Sequence, residues 1–286
     1  MSEYQSMNVE DVKKMMTEID WELQQEKVPV TAREIKAFMK FSQKTGLQIP
    51  LTGDHWITKT ISEWYRSVYG EKLKVDFSPG SGVVALGHEP YLVKFPRIYG
   101  RVQVNPLEWI QGATPIILNS IPEESLTPFV QTLMMQYNDY IAAELLPVKC
   151  TDDLASAVNH MVAQRRNYGL SEWASQQSLE KTFKNFITEK GGTFKFTHDL
   201  AKLHRKCVEL GLPEIQKDIV DQVECAASAR YIDDGENDEY TLETAVNSFV
   251  ASLHCVGRVA RSLLNLPAPR IQITRHHTFD PNKDNT

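Results

Sequence analysis

Apolar residues recur every three or four positions over residues 9–25, 32–44 and 54–68, with Val12, Met15, Met16, Ile19 and Leu23 marking one face of the first segment. That spacing predicts three helices at the start of the chain. Thr31 followed by Glu34 predicts a capping box for the second. Between residues 72 and 105 the period shortens, and runs rich in Val, Phe and Tyr take over: Lys74 to Phe77, Tyr91 to Phe95 and Arg101 to Val104. Ser78-Pro79-Gly80-Ser81-Gly82 and the stretch from Pro96 to Gly100 separate them as turns, which predicts a small antiparallel sheet. Ile116-Ile117-Leu118 reads as one further strand. Glu123 to Leu145 then returns to helical spacing, through Leu126, Phe129, Val130, Leu133, Met134 and Tyr137, and Pro147 ends it.

From Thr151 onward the pattern is helical throughout. Thr151 with Asp152 and Asp153, and Ser171 with Glu172, carry the oxygens and acids that suit helix starts. Gly191-Gly192 closes the second of these helices. A third is predicted from Thr197 through Leu200, Leu203, Cys207 and Leu210. A fourth runs from Pro213 through Ile215, Ile219 and Val223 to Ala227. Asp233 to Glu239 is too acidic to pack and reads as a solvated loop. Thr241 opens the longest helix, whose apolar stripe reaches Leu263, and Pro267 and Pro269 end it.

The fold class expected is therefore an α+β N-terminal domain over residues 1–149, followed by an all-α antiparallel helical bundle over 150–266 and a polar tail over 267–286. A chain of 286 residues is long enough for two domains. No apolar run reaches the length of a membrane span and the first thirty residues lack a secretory signal, so the expected setting is cytoplasmic, away from the membrane.

Charge and cysteine content narrow the chemistry. The net charge is −6, and residues 151–286 hold 16 Lys and Arg against 19 Asp and Glu, so contact with nucleic acid has to be local. Cys150, Cys207, Cys225 and Cys255 form no close pair and read as small buried side chains, with no metal or cofactor site expected. Phosphate-binding loops, dinucleotide fingerprints, nucleophile elbows and zinc-helix motifs are absent from the sequence. Gly80-Ser81 reads as a hairpin turn.

The run Ala174-Ser175-Gln176-Gln177-Ser178-Leu179-Glu180-Lys181-Thr182-Phe183-Lys184 resembles the second-helix signature of the HEPN family (higher eukaryotes and prokaryotes nucleotide-binding). Thr197-His198-Asp199-Leu200 is similar to that family's opening to the third helix. Ser228-Ala229-Arg230-Tyr231, followed by acids, is similar to the end of its fourth, with Ile232 where proline is common. The resemblance spans about eighty residues of the second half. It implies a compact helical bundle, a homodimer, and a link to RNA, to nucleotides or to defence or toxin-antitoxin-like systems.

The resemblance implies that ribonuclease members carry an arginine and a following histidine with four to six residues between them, the two meeting across a dimer. Here that spacing occurs only from Arg270 to His276 or His277, in the tail. The resemblance thus implies binding of nucleic acid, a nucleotide or a partner protein without an intact ribonuclease motif. The alternatives are a metal-independent endoribonuclease using Arg230 with His198 or the tail residues, and a structural interaction module. Candidate ligand-binding residues are Arg230, Tyr231, His198, Asp199, Glu180 and Lys184. Of these, Glu180 and Lys184 also fit a helix-surface pair, and Arg230 with Tyr231 suits phosphate and base recognition. His254, in the apolar stripe of the last helix, reads as a satisfied core histidine.

Overall fold

The structure is a computed structural model that describes residues 7–50, 54–73, 78–100, 102–195, 197–231 and 240–274. It divides into two compact units, Met1–Phe77 and Ser78–Thr286. The break expected near residue 149 does not coincide with this division, because the sheet and the long helix before residue 149 share cores with the helices after it.

The first unit is three helices: α1 (Val9–Gln25), α2 (Val30–Thr45) and α3 (Trp56–Tyr69). Asn8 caps α1 by accepting from the Glu10 and Asp11 amides, and Asp11 returns the bond to the Asn8 amide. Val12, Met16, Ile19 and Leu23 are fully buried against Phe38, Phe41, Ile57, Ile61 and Tyr65. The capping box expected at Thr31 does not form. The α2 helix starts at Val30 without a side-chain cap, and Glu34 instead accepts the Ser62 hydroxyl at 2.6 Å. A half-buried clasp closes the bundle: Asp20 accepts from the Tyr69 hydroxyl (2.5 Å) and Gln24 (2.7 Å), and Arg33 donates to Tyr69 (2.7 Å).

The second unit begins with an antiparallel hairpin, β1 (Ser81–Leu86) and β2 (Glu89–Lys94), in the register Val83↔Leu92. Gly80-Ser81 is not the hairpin turn. Ser81 opens β1, and the turn is Gly87-His88, with Gly87 at φ +64°. The glycines at the start of β1 are there for contact. A Cβ on Gly80 would overlap the Tyr140 ring, and one on Gly82 would collide with Gln136 Oε1.

Ile116 to Leu118 is helical, within α4 (Pro115–Asn119), because Pro115 supplies a first helical position and the Thr114 hydroxyl caps it. The predicted strand Lys74 to Phe77 and Arg101 lie outside the described residues, and Val102 to Val104 form no strand.

Then follow α5 (Glu123–Glu144), α6 (Cys150–Val162), α7 (Tyr168–Glu189), α8 (Leu200–Glu209), α9 (Lys217–Asp221) and α10 (Leu242–Leu264). Buried serines tie these helices together. Ser171 donates to Ala157 O and Ser178 to Cys150 O, which makes α6 and α7 antiparallel, and Ser252 donates to Ser175 O. Such small side chains let helix backbones approach closely while satisfying their own hydroxyls.

Three helix starts differ from the sequence reading. The α6 helix starts at Cys150 without a side-chain cap, α7 starts at Tyr168 with Asn167 as its cap, and Asp199 rather than Thr197 caps α8. The fourth bundle helix, expected over Pro213 to Ala227, shrinks to α9 and a 3₁₀ turn, Ala227–Tyr231. Its backbone between these elements is held by side chains instead, as the Cys225 amide shows by donating to Gln176 Oε1 at 2.7 Å.

Candidate functional site

Helix α7 organises the candidate residues, and it sorts them into two groups. The first group is a clasp. Glu180 is nearly buried on α7. Its carboxylate accepts from Lys184 Nζ at 2.6 Å, one turn on, and faces His198 Nδ1 at 3.0 and 3.1 Å. Gln177 donates to the same carboxylate at 3.4 Å. Gln176 donates to the His198 carbonyl at 3.4 Å while accepting from Cys225. The glutamines and glutamate of the run that resembles the family signature therefore pin the start of α8 and the segment before the 3₁₀ turn onto α7. Lys181, in the same run, reaches Asp153 of α6 at 2.7 Å.

Asp199 belongs with this clasp. Its side chain accepts the Lys202 amide at 2.8 Å, and Lys202 Nζ lies 2.9 Å away. The Lys202 side chain first and its amide second hold the Asp199 carboxyl below the usual carboxylate range. A carboxylate already occupies the positive end of α8, so a second anion is unfavourable there.

The second group is an open platform. The Arg230 guanidinium carbon stands 4.3 Å from the centroid of the Trp173 ring and 5.3 Å from that of Tyr231. Trp173 projects from the first turns of α7. Tyr231 is 80% exposed. The 3₁₀ turn reaches this position because Gly169 lets it settle on α7: a Cβ there would be 2.6 Å from Ala229 O. Sequence reading found Arg230 and Tyr231 and missed Trp173, one turn before the signature glutamines.

A third cluster escaped sequence reading. Asp139 of α5, nearly buried, accepts from Arg261 at 2.6 Å and faces His254 Nδ1 at 3.2 Å. His254 is the satisfied histidine expected, but its partner is a carboxylate from another helix. Gly257 makes room for this, since a Cβ would lie 2.5 Å from Asp139 Oδ1. His254 and Arg261 are seven residues apart, which places them on one helix face. That spacing was visible in the sequence, whereas the distant Asp139 carried no local signal.

Of the tail candidates, Arg270 is described outside any helix or strand, while His276 and His277 lie outside the described residues. Burial raises the thiols of Cys207 and Cys255 to about 12 and that of Cys150 above its usual value, so these three are inert core groups. Among the described residues, no group of three or more His, Cys, Asp or Glu could hold a metal ion, and no helix is long and apolar enough to cross a membrane.

Neither a curated protein nor a solved structure matches the chain. A family model for the HEPN domain matches residues 144–258, from the last residue of α5 into α10. The match lies over the segment whose sequence resembles that family, so the HEPN domain similarity belongs to residues 144–258 of the chain.

Proposed function

We propose that this HEPN domain binds a nucleotide unit, with the base against Trp173 and Tyr231 and its phosphate at Arg230. The observation that carries this reading is the Arg230 guanidinium over Trp173 beside an exposed Tyr231. Aromatic rings at the surface supply a stacking partner for any base, and a planar guanidinium supplies paired donors for phosphate.

The electrostatic setting favours stacking over charge. The whole chain carries −6, and five acids, Asp233, Asp234, Glu236, Asp238 and Glu239, follow Tyr231 in the sequence. A ligand held chiefly by phosphate contacts works against that background, and one held by ring stacking does not. A single nucleotide or an unpaired strand therefore fits better than a duplex.

A second reading, metal-independent RNA cleavage, is favoured by the Asp139, His254 and Arg261 cluster. A carboxylate that orients a histidine beside an arginine is an arrangement able to move a proton next to a charged phosphate. Asp139 and Arg261 lie outside the matched segment, residues 144–258.

One experiment separates the two. Adenosine monophosphate and a single-stranded oligonucleotide are titrated against the protein and against Arg230→Ala, with tryptophan fluorescence as the readout. The binding reading expects Arg230→Ala to weaken both by roughly tenfold or more, from the loss of stacking and a charge-assisted bond. Equal affinity in the variant ends it. Metal-free cleavage of the strand that is lost in His254→Ala supports the second reading.

A further inference from the structure

Helix α7 carries a second station where a cation meets a ring. Lys184 Nζ lies 5.7 Å from the centroid of Phe194, which is 40% exposed on the segment between α7 and α8. This repeats the platform, where the Arg230 guanidinium stands 4.3 Å from the centroid of the Trp173 ring beside exposed Tyr231. Lys190 over Phe186 is different in kind, because Phe186 is fully buried and offers no face to a ligand.

The two stations share one face of the helix. From Trp173 to Lys184 the chain makes about three full turns at about 3.6 residues per turn, which returns Lys184 to the same side. Glu180, whose carboxylate holds Lys184 at 2.6 Å, lies on that side as well. At a rise of about 1.5 Å per residue, Glu180 and Lys184 stand about 10 and about 16 Å beyond Trp173 along the axis. His198 rests on Glu180 at the far end, with Nδ1 3.0 Å from the carboxylate and its side chain 53% exposed. The Glu180 carboxylate is nearly buried and matched by Lys184, so it presents little negative charge along this face.

A single nucleotide fills one station. An unpaired strand reaches both, because its bases are free to stack on protein rings, whereas paired bases already stack on one another. A separation of about 10–16 Å corresponds to roughly three to five nucleotides at a stacked rise of about 3.4 Å.

We propose that the ligand is an unpaired nucleic-acid strand laid along α7, with one base on Trp173 beside Arg230 and another, roughly three to five nucleotides away, on Phe194 beside Lys184. This rests on the nucleotide-binding reading above and names the class of ligand for that site. Ribose and deoxyribose strands share the chemistry, since stacking reads the face of the base and not the sugar.

Titrations of the full chain with adenosine monophosphate and with oligoadenylates of two, four and eight nucleotides, in ribose and deoxyribose forms, test this. Affinity is expected to rise between the shortest and the longest strand by roughly five- to a hundredfold, the scale of one added base on a ring. Phe194→Ala is expected to lose that rise and to keep the affinity for the monophosphate. Phe194→Tyr, which retains a ring, is expected to keep both. A rise confined to ribose strands assigns RNA, one confined to deoxyribose strands assigns DNA, and a rise in both assigns an unpaired strand of either sugar.

If affinity does not grow with length, or grows equally in Phe194→Ala, the second station is wrong, and the platform stands as long as Arg230→Ala weakens every probe. A loss that Phe194→Ala inflicts on monophosphate and strand alike gives the ring a role in folding and also ends the strand path. If Arg230→Ala changes no affinity, platform and strand path fall together.

Discussion

His204 shows how one side chain couples core packing to pH. It lies half-buried on α8, with its ring centroid 5.6 Å from that of Phe183, and Nε2 accepts the Ile215 amide at 3.2 Å. Burial lowers its pKa from 6.5, with Glu214 offsetting part of the effect. The folded state therefore prefers the neutral ring, and a protonated Nε2 cannot accept from Ile215. A lowered folded pKa means that the contribution is complete above pH 6.5. It is lost as pH falls from there through the folded value, because the unfolded chain takes up the proton first. The melting temperature is expected to fall between about pH 7 and about pH 5, and to fall less steeply in His204→Asn, which has nothing to titrate. Equal slopes in the two proteins would exclude His204 as the cause.

At the same scale, residues differ in how openly the sequence declares them. Arg230 and Tyr231 were legible because a cation and an exposed ring at a helix end suit ligand chemistry whatever surrounds them. Glu180, Lys184 and His198 were legible only as candidates. Their placement turns on Gln176, which joins the His198 carbonyl to the Cys225 amide across 22 and 49 residues. No local period encodes such a bond, and Trp173 was missed for the same reason. Its partner stands on a turn brought over by Gly169.

Among the elements, the hairpin and α5 show how an edge of a sheet that has two strands among the described residues is covered. The edge of β1 away from β2 faces α5. There the Gln136 side chain stands in for a strand: its Nε2 donates to Val83 O at 3.0 Å, and its Oε1 accepts the Val83 amide at 3.3 Å. Covering the edge this way satisfies the backbone and blocks pairing with another chain. Gln136→Leu keeps the bulk and deletes both bonds, leaving a buried donor and acceptor unpaired at a cost of about 2–5 kcal/mol. For a unit of this size that lowers the melting temperature by on the order of 5–15 °C. Met135→Ala, at the neighbouring and 45% exposed position, is expected to change stability by only about 0.5 kcal/mol. Comparable losses from both substitutions in thermal unfolding would rule out the strand-mimic role.

Long periodic helices were the legible elements: α1, α2, α3, α5 and α10 stand within a few residues of where the apolar spacing puts them. The short and irregular ones were not. Residues 213–227 keep helical spacing of Ile215, Ile219 and Val223, yet only Lys217–Asp221 coils as an α-helix, because His204 and Gln176 take up the Ile215 and Cys225 amides. Side-chain bonds from distant residues overrode local propensity there.

For the whole molecule, the consequence lies in how the cores are partitioned. Among the described residues, the hydrophobic cluster of α1, α2 and α3 draws on Met7 to Leu73, whereas the other two clusters draw on Val83 and later residues. A unit whose apolar side chains bury one another has its own cooperative transition unless another unit shares its core. The chain is therefore expected to unfold in two calorimetric steps. Phe41→Ala, which empties a fully buried site in the first unit at a cost of about 3–5 kcal/mol, should shift or abolish one step and leave the other in place. Phe249→Ala, equally buried in the second unit, should do the reverse. A small unit has little stability in reserve, so the first step is the one expected to vanish outright. A single transition that both substitutions move together would show that the units unfold as one body, and that separate cores here do not mean separate stabilities.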